Sequence, residues 1–202
     1  MLFRSPMNFD KWRHYIRARL LELMGKHERA LSEYHAAFRI DPDFRRAANA
    51  LAWRYASAEK FPEAIRYFRE ALRLQAGYAD AYFNLGFVCA KNRQSREAVE
   101  AFRSAVGLRP GFDRAWYGMG MACAALGEHR EAMEAFNKAA LLQPMSGPVW
   151  YQFGMACHHA REPERLREVI HHLNRFDPLM AKRLILETGT TDLVHLVKDL
   201  VV

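Results

Sequence analysis

Between residues 113 and 146 the apolar positions fall into two helical runs. Ala115, Trp116, Met119 and Cys123 recur at helical spacing, and beyond Gly127 the residues Ala132, Phe136 and Ala139 do so again. The pattern predicts two antiparallel helices that bury one apolar face between them. Gly120 and the alanines are read as places where two backbones approach closely. Gly127 suits the left-handed position that ends a helix. Pro144 cannot continue the second helix and turns the chain onward. One such hairpin leaves apolar surface uncovered, so it has to stack on copies of itself.

The copies follow at a spacing of 34 residues. One step back, residues 79–112 carry Tyr82, Leu85, Gly86, Cys89, Ala98, Phe102, Ala105 and Pro110 in the same slots. Residues 45–78 carry Leu51, Tyr55, Ala64, Phe68 and Ala71, with Ala76 in the proline slot. Residues 11–44 carry Leu21, Gly25, Ala30, Tyr34, Ala37 and Pro42, with Arg17 in the Leu slot. One step forward, residues 147–180 carry Trp150, Phe153, Gly154, Cys157 and Pro178, with Leu166, Ile170 and Leu173 in the second helix.

The order of Trp, Met-Gly, Cys, Ala, Phe and Pro in 113–146 resembles the signature of the tetratricopeptide repeat (TPR) family. The resemblance spans residues 11–180. It implies an all-α, right-handed TPR solenoid of five repeats (11–44, 45–78, 79–112, 113–146 and 147–180), after a lead-in at 1–10 and before a C-terminal cap and apolar tail at 181–202. In the lead-in, Ser5-Pro6 reads as an N-cap and first helical residue, or the segment is frayed. Trp12 and Ile16 read as core and cap of a terminal repeat, with cover by a partner as the other reading. Pro62 and Pro163 start second helices, and Ser95 is read as an N-cap. In the tail, Thr191 or Asp192 caps a helix with Leu193, Leu196, Val197 and Leu200 on one face. That helix packs on the cap, docks into a neighbour's groove, or pairs with its twin in a homo-oligomer.

By the same resemblance, the first helix of each hairpin lines a concave groove, through slots two, five, six, nine, twelve and thirteen of each repeat. These slots hold Tyr15, Arg19, Arg46, Asn49, Trp53, Phe83, Asn84, Phe87, Arg114, Tyr117, Met121, Tyr151, Gln152 and Met155. Large apolar residues on a solvated wall mark an interaction site, and aromatics, Met and Arg are the types enriched in interface cores. Asn49, Asn84 and Gln152 suit the backbone of an extended peptide. The family's carboxylate clamp, which grips acidic C-terminal tails of heat-shock chaperones, is not expected. Its best frame here is Asn49, Trp53, Asn84, Arg114 and Gly118, in which Asn84 matches, Arg114 is a stand-in and three positions fail. An apolar groove is similar instead to the TPR chaperones of bacterial type III secretion.

Composition narrows the partner. Of 30 Lys and Arg against 23 Asp and Glu, residues 1–78 hold 15 basic and 9 acidic side chains, so the excess sits in that part of the chain. An acidic protein partner at the N-terminal repeats is the simplest reading. RNA binding is a further alternative, since basic surface with aromatics stacks bases. Against it, Arg13, Arg29, Arg66, Arg69 and Arg73 are interleaved with Glu28, Glu33, Glu63 and Glu70, as on a solvated helix face.

Cys89, Cys123 and Cys157 are one repeat apart. Stacked helices lie roughly 8–10 Å apart and a disulfide needs Cα atoms within about 7 Å, so the three read as small buried hydrophobes. His158-His159 and His171-His172 are too far apart along their hairpin for a shared metal, and His158 and His159 suit polar contacts in the groove. No phosphate loop, nucleophile elbow or zinc-protease motif occurs, so neither enzyme activity nor a cofactor is expected. With no apolar run of membrane length and no secretory h-region, the expectation is a cytoplasmic protein-interaction scaffold.

Overall fold

The computed structural model describes residues 9–198. The expected cap at Ser5-Pro6 and the apolar position Leu200 lie outside the described residues. Among the described residues only helices and turns occur. The chain divides into two compact units, Met1–Arg93 and Gln94–Val202.

The first unit holds α1 (Phe9–Leu23), α2 (His27–Ile40), α3 (Arg45–Ser57), α4 (Phe61–Leu74) and α5 (Ala79–Lys91), each packed on its neighbour in sequence. The second holds α6 (Ser95–Leu108), α7 (Asp113–Ala125), α8 (His129–Leu142), α9 (Gly147–His159), α10 (Pro163–Asn174) and α11 (Pro178–Thr188), then a 3₁₀ helix, Thr191–Val197. In this unit α11 packs on both α9 and α10, and the 3₁₀ helix packs on α10 and α11.

The core is the repeat pattern made solid. Tyr34, Phe68, Phe102, Phe136 and Ile170 hold one slot of the second helices, and all are sealed from solvent. Around them the alanine slots are closed as well: Ala30, Ala64, Ala98 and Ala132 on one side, Ala37, Ala71, Ala105 and Ala139 on the other. Each of the large side chains, such as Phe68, Phe102, Phe136 and Ile170, contributes roughly 1.5–3 kcal/mol by leaving water. Gly118 and Gly120 of α7 serve two of these rings. A Cβ on Gly120 would lie 2.8 Å from the Phe136 ring, and one on Gly118 would lie 2.6 Å from that of Phe102. The expectation of close backbone approach is therefore corrected: the missing side chain makes room for an aromatic ring.

Polar contacts repeat too. The first slot of a hairpin meets the residue thirty positions on, as Lys11 Nζ with Asp41 at 2.5 Å and Asp113 with Gln143. Where α9 begins, Gly147 leaves the space that the Asp177 carboxylate fills, and Asp177 accepts from the Met180 amide at 3.1 Å to cap α11. The Trp116 indole donates to the Pro110 carbonyl at 2.8 Å, and that of Trp150 to Pro144 at 3.0 Å. The prolines thus stop a helix and also offer an acceptor that the tryptophans use.

Three expected caps differ from what is found. Ser95 is the first residue of α6, whose N-cap is Gln94, and no side chain caps it. Thr191 and Asp192 lie inside the 3₁₀ helix after Thr190, and Asp192 instead pairs with Arg167 at 3.1 Å. Leu193 and Val197 of this helix are buried, so that part of the apolar tail is covered within the chain.

Candidate functional site

The candidate residues stand on α1, α3 and α5 in the first unit and on α7 and α9 in the second. Helices α1, α3, α7 and α9 each pack on the second helix of their hairpin. The ninth slot is held by Trp53, Phe87 and Met121, which are 51%, 47% and 43% exposed although they are large and apolar. The Trp53 ring packs edge-on against Phe68 at 5.8 Å, and Lys91 Nζ lies 5.6 Å over the ring of Phe87. In the second unit Tyr117, half-buried, packs on Phe136 at 5.6 Å. Phe83, Asn49, Asn84, Gln152 and Met155 are likewise half-buried. A half-buried position of this kind holds a rotamer while keeping a face open to a partner.

Two positions are covered in whole or in part by other side chains. Tyr151 is buried: its hydroxyl donates to Glu187 and the Arg183 guanidinium lies 4.8 Å over its ring, so α11 covers it. Sequence placed Tyr151 by its slot, and could not show that α11 would pack there. Tyr15 is half-buried, with its ring against Phe44 at 5.4 Å, Tyr34 at 5.6 Å and Trp12 at 6.0 Å. Its aromatic surface is used largely to close the end of the first hairpin.

The basic candidates are exposed. Arg46 lies 5.2 Å over the Trp12 ring, and Arg114 lies 5.8 Å over that of Phe112. Arg19 Nη1 stands 3.6 Å from Glu22, on the same carboxylate that Arg54 Nε approaches at 3.8 Å. Tyr34 donates its hydroxyl to that carboxylate at 2.7 Å. Burial first, and then Glu22, push the Tyr34 phenol well above its ordinary pKa, so it stays protonated and remains the donor. Sequence reasoning passed over Arg54. The available signal was a charged residue in the slot that later repeats fill with Val88, Ala122 and Ala156.

The remaining chemistry is structural. Cys123 and Cys157 are buried, and burial pushes their thiols up to about 11 and about 12. That is the environment of an inert cysteine. His172 lies 4.0 Å from the Trp150 ring and contacts the Pro144 carbonyl at 3.2 Å, which ties it to the fold. His159 stacks on His129 at 5.0 Å. Burial, then the neighbouring His129 and His158, lower its pKa. Among the described residues no group of three or more His, Cys, Asp or Glu side chains is placed to hold a metal ion. Among them, too, no helix is long and apolar enough to cross a membrane.

A tetratricopeptide repeat family model matches residues 15–79, 49–111 and 90–145. The chain belongs to the tetratricopeptide repeat family and has its all-α solenoid fold. Solved structures agree. The chain is similar to the protein MamA at 19% identity and a TM-score of 0.75, over 91% of this chain and 96% of that one. A MamA fragment from Desulfovibrio magneticus RS-1 aligns at 19% identity and a TM-score of 0.74, over 86% and 97% of the two chains. YrrB, described as a TPR protein with an unusual peptide-binding site, aligns at 26% identity and a TM-score of 0.73, over 84% and 89%. No curated protein sequence matches the chain.

Proposed function

We propose that the protein is a non-catalytic scaffold that binds an extended segment of another protein on the first-helix faces of its hairpins, as an adaptor or chaperone. The repeats are those at 11–44, 45–78, 79–112, 113–146 and 147–180. One observation carries the reading. The ninth slot exposes a large apolar side chain in three successive repeats, Trp53, Phe87 and Met121, where a wall built only for solvent would carry small or charged residues. Half-buried Asn49, Asn84 and Gln152 supply donors and acceptors for a peptide backbone. Arg19, Arg46 and Arg114 favour a segment with acidic residues, above all at the N-terminal repeats. The description of YrrB as peptide-binding supports the same use of this fold.

The test is affinity capture from lysate with wild type beside a Trp53→Ala, Phe87→Ala, Met121→Ala triple variant of equal helicity. The captured protein is then purified and titrated against both. Binding to wild type that is at least tenfold weaker in the variant is the expected result. Equal binding by both folded proteins moves the site off these faces and refutes the reading.

A further inference from the structure

The tenth slot of the repeat is an interior position. Val88, Ala122 and Ala156 occupy it in the third to fifth repeats, all buried and apolar, while in the terminal first repeat it holds Leu20, apolar and 56% exposed. In the second repeat the same slot holds Arg54, whose side chain is only 22% exposed. Its Nε is sealed from solvent and has no hydrogen-bond partner. An orphaned buried N–H costs about 1–3 kcal/mol. Inside the fold its charge is met by Glu22 at 3.8 Å, without a hydrogen bond, and a residue that breaks the local rule at such a cost points to a functional position.

The nearest anion does not satisfy it. Glu22 Oε2 is held by the Tyr34 hydroxyl at 2.7 Å, which keeps Oε1 3.8 Å from Arg54 Nε. Arg19 reaches the same carboxylate only at 3.6 Å. Two guanidinium groups therefore share one carboxylate, neither within hydrogen-bonding distance of it. Arg19, more than half exposed, presents its donors outward. The preceding residue on α3 is Trp53, the exposed aromatic of the ninth slot.

Resting on the segment-binding reading, we propose that Arg54 and Arg19 form a carboxylate-binding subsite, in which a carboxylate of the bound segment bridges the terminal Nη groups of the two guanidiniums, Arg54 Nε itself being sealed, while Glu22 keeps its bond to Tyr34. Planar guanidinium forks suit this role better than ammonium groups. Arg54 stands outside the slots of the family's carboxylate clamp, so this is a separate recognition point.

The test uses the full chain labelled with ¹⁵N, read at the arginine Nε–Hε signals. Three probes are titrated: N-acetylglutamate N-methylamide, its glutamine analogue, and N-acetylleucine as a free acid. The glutamate probe is expected to shift Arg54 and Arg19 saturably, and the glutamine probe to leave them in place. A saturable shift with N-acetylleucine assigns the subsite to a C-terminal carboxylate, and its absence to an acidic side chain. Arg54→Met is expected to weaken the carboxylate titration roughly tenfold or more. It is also expected to keep or raise Tm, because an apolar side chain suits this slot. Equal shifts with the glutamine probe, no shift with either carboxylate, or a marked fall in Tm with Arg54→Met overturns the proposal. Loss of the captured partner on Trp53→Ala with full retention on Arg54→Met removes the subsite alone, whereas retention with both removes the segment-binding reading as well.

Discussion

Five turns between the helices of a hairpin place one residue in the left-handed region, at positions one repeat apart. Gly25 and Gly127 have φ of 70° and 76°, but Glu59, Arg93 and Arg161 hold φ of 55°, 60° and 60°. For a residue with a Cβ this conformation costs about 1–2 kcal/mol. A glycine there would relieve that strain and lose roughly 0.5–1 kcal/mol to its larger chain entropy when unfolded. The space around a Cβ at Gly25 and Gly127 is empty to 4 Å, so the backbone term stands nearly alone in these turns. At the midpoints of these ranges Arg161→Gly is therefore expected to stabilise by about 0.75 kcal/mol. For a chain of this size that raises Tm by roughly 1–4 °C. Glu59→Gly, Arg93→Gly and Arg161→Gly together, being well separated, should add. Gly127→Arg should lower Tm by a similar amount. Differential scanning calorimetry measures all of these. A triple variant no more stable than wild type, or a neutral Gly127→Arg, would refute the reasoning.

The other expectations follow from burial and titration. Gly120→Ala forces a Cβ to within 2.8 Å of the Phe136 ring and should cost about 1–3 kcal/mol, read as a drop in denaturant midpoint, while Gly111→Ala, open to 4 Å, should not. His35 sits between the Tyr55 and Tyr67 hydroxyls at 2.8 Å and 3.4 Å, and burial, then Arg39 and Arg66, lower its pKa below 6.5. The unfolded chain then takes up the proton first, so stability present above pH 6.5 is lost as pH falls below it. Tm measured from pH 7.5 to 5 should fall less steeply in His35→Gln than in wild type. Cys123 and Cys157, with thiols raised to about 11 and about 12, should resist a thiol-specific disulfide reagent at pH 8 until the protein unfolds. Fast labelling of the native protein would contradict their core position.

Much of the fold was legible because the information is local. A hairpin needs an apolar stripe on each helix, a breaker between them and a ring to fill the gap, and all of these lie within one 34-residue period of the chain. The period itself required stacking, since one hairpin leaves apolar surface open. The same slots placed Trp53, Phe87 and Met121 on the exposed faces, where the structure finds them uncovered.

What the sequence could not settle depends on atoms far along the chain. Whether a slot is surface is decided by what packs over it: Tyr151 is closed by α11, and Tyr15 leans on Phe44. Whether a charge is satisfied depends on distances of tenths of an ångström, as between Arg54, Glu22 and Tyr34. Periodicity fixes which way a side chain points within its own hairpin, because helix geometry is set by neighbours in sequence. Its burial, its partners and its charge balance are set by the next hairpin, and only the folded chain brings that surface against it.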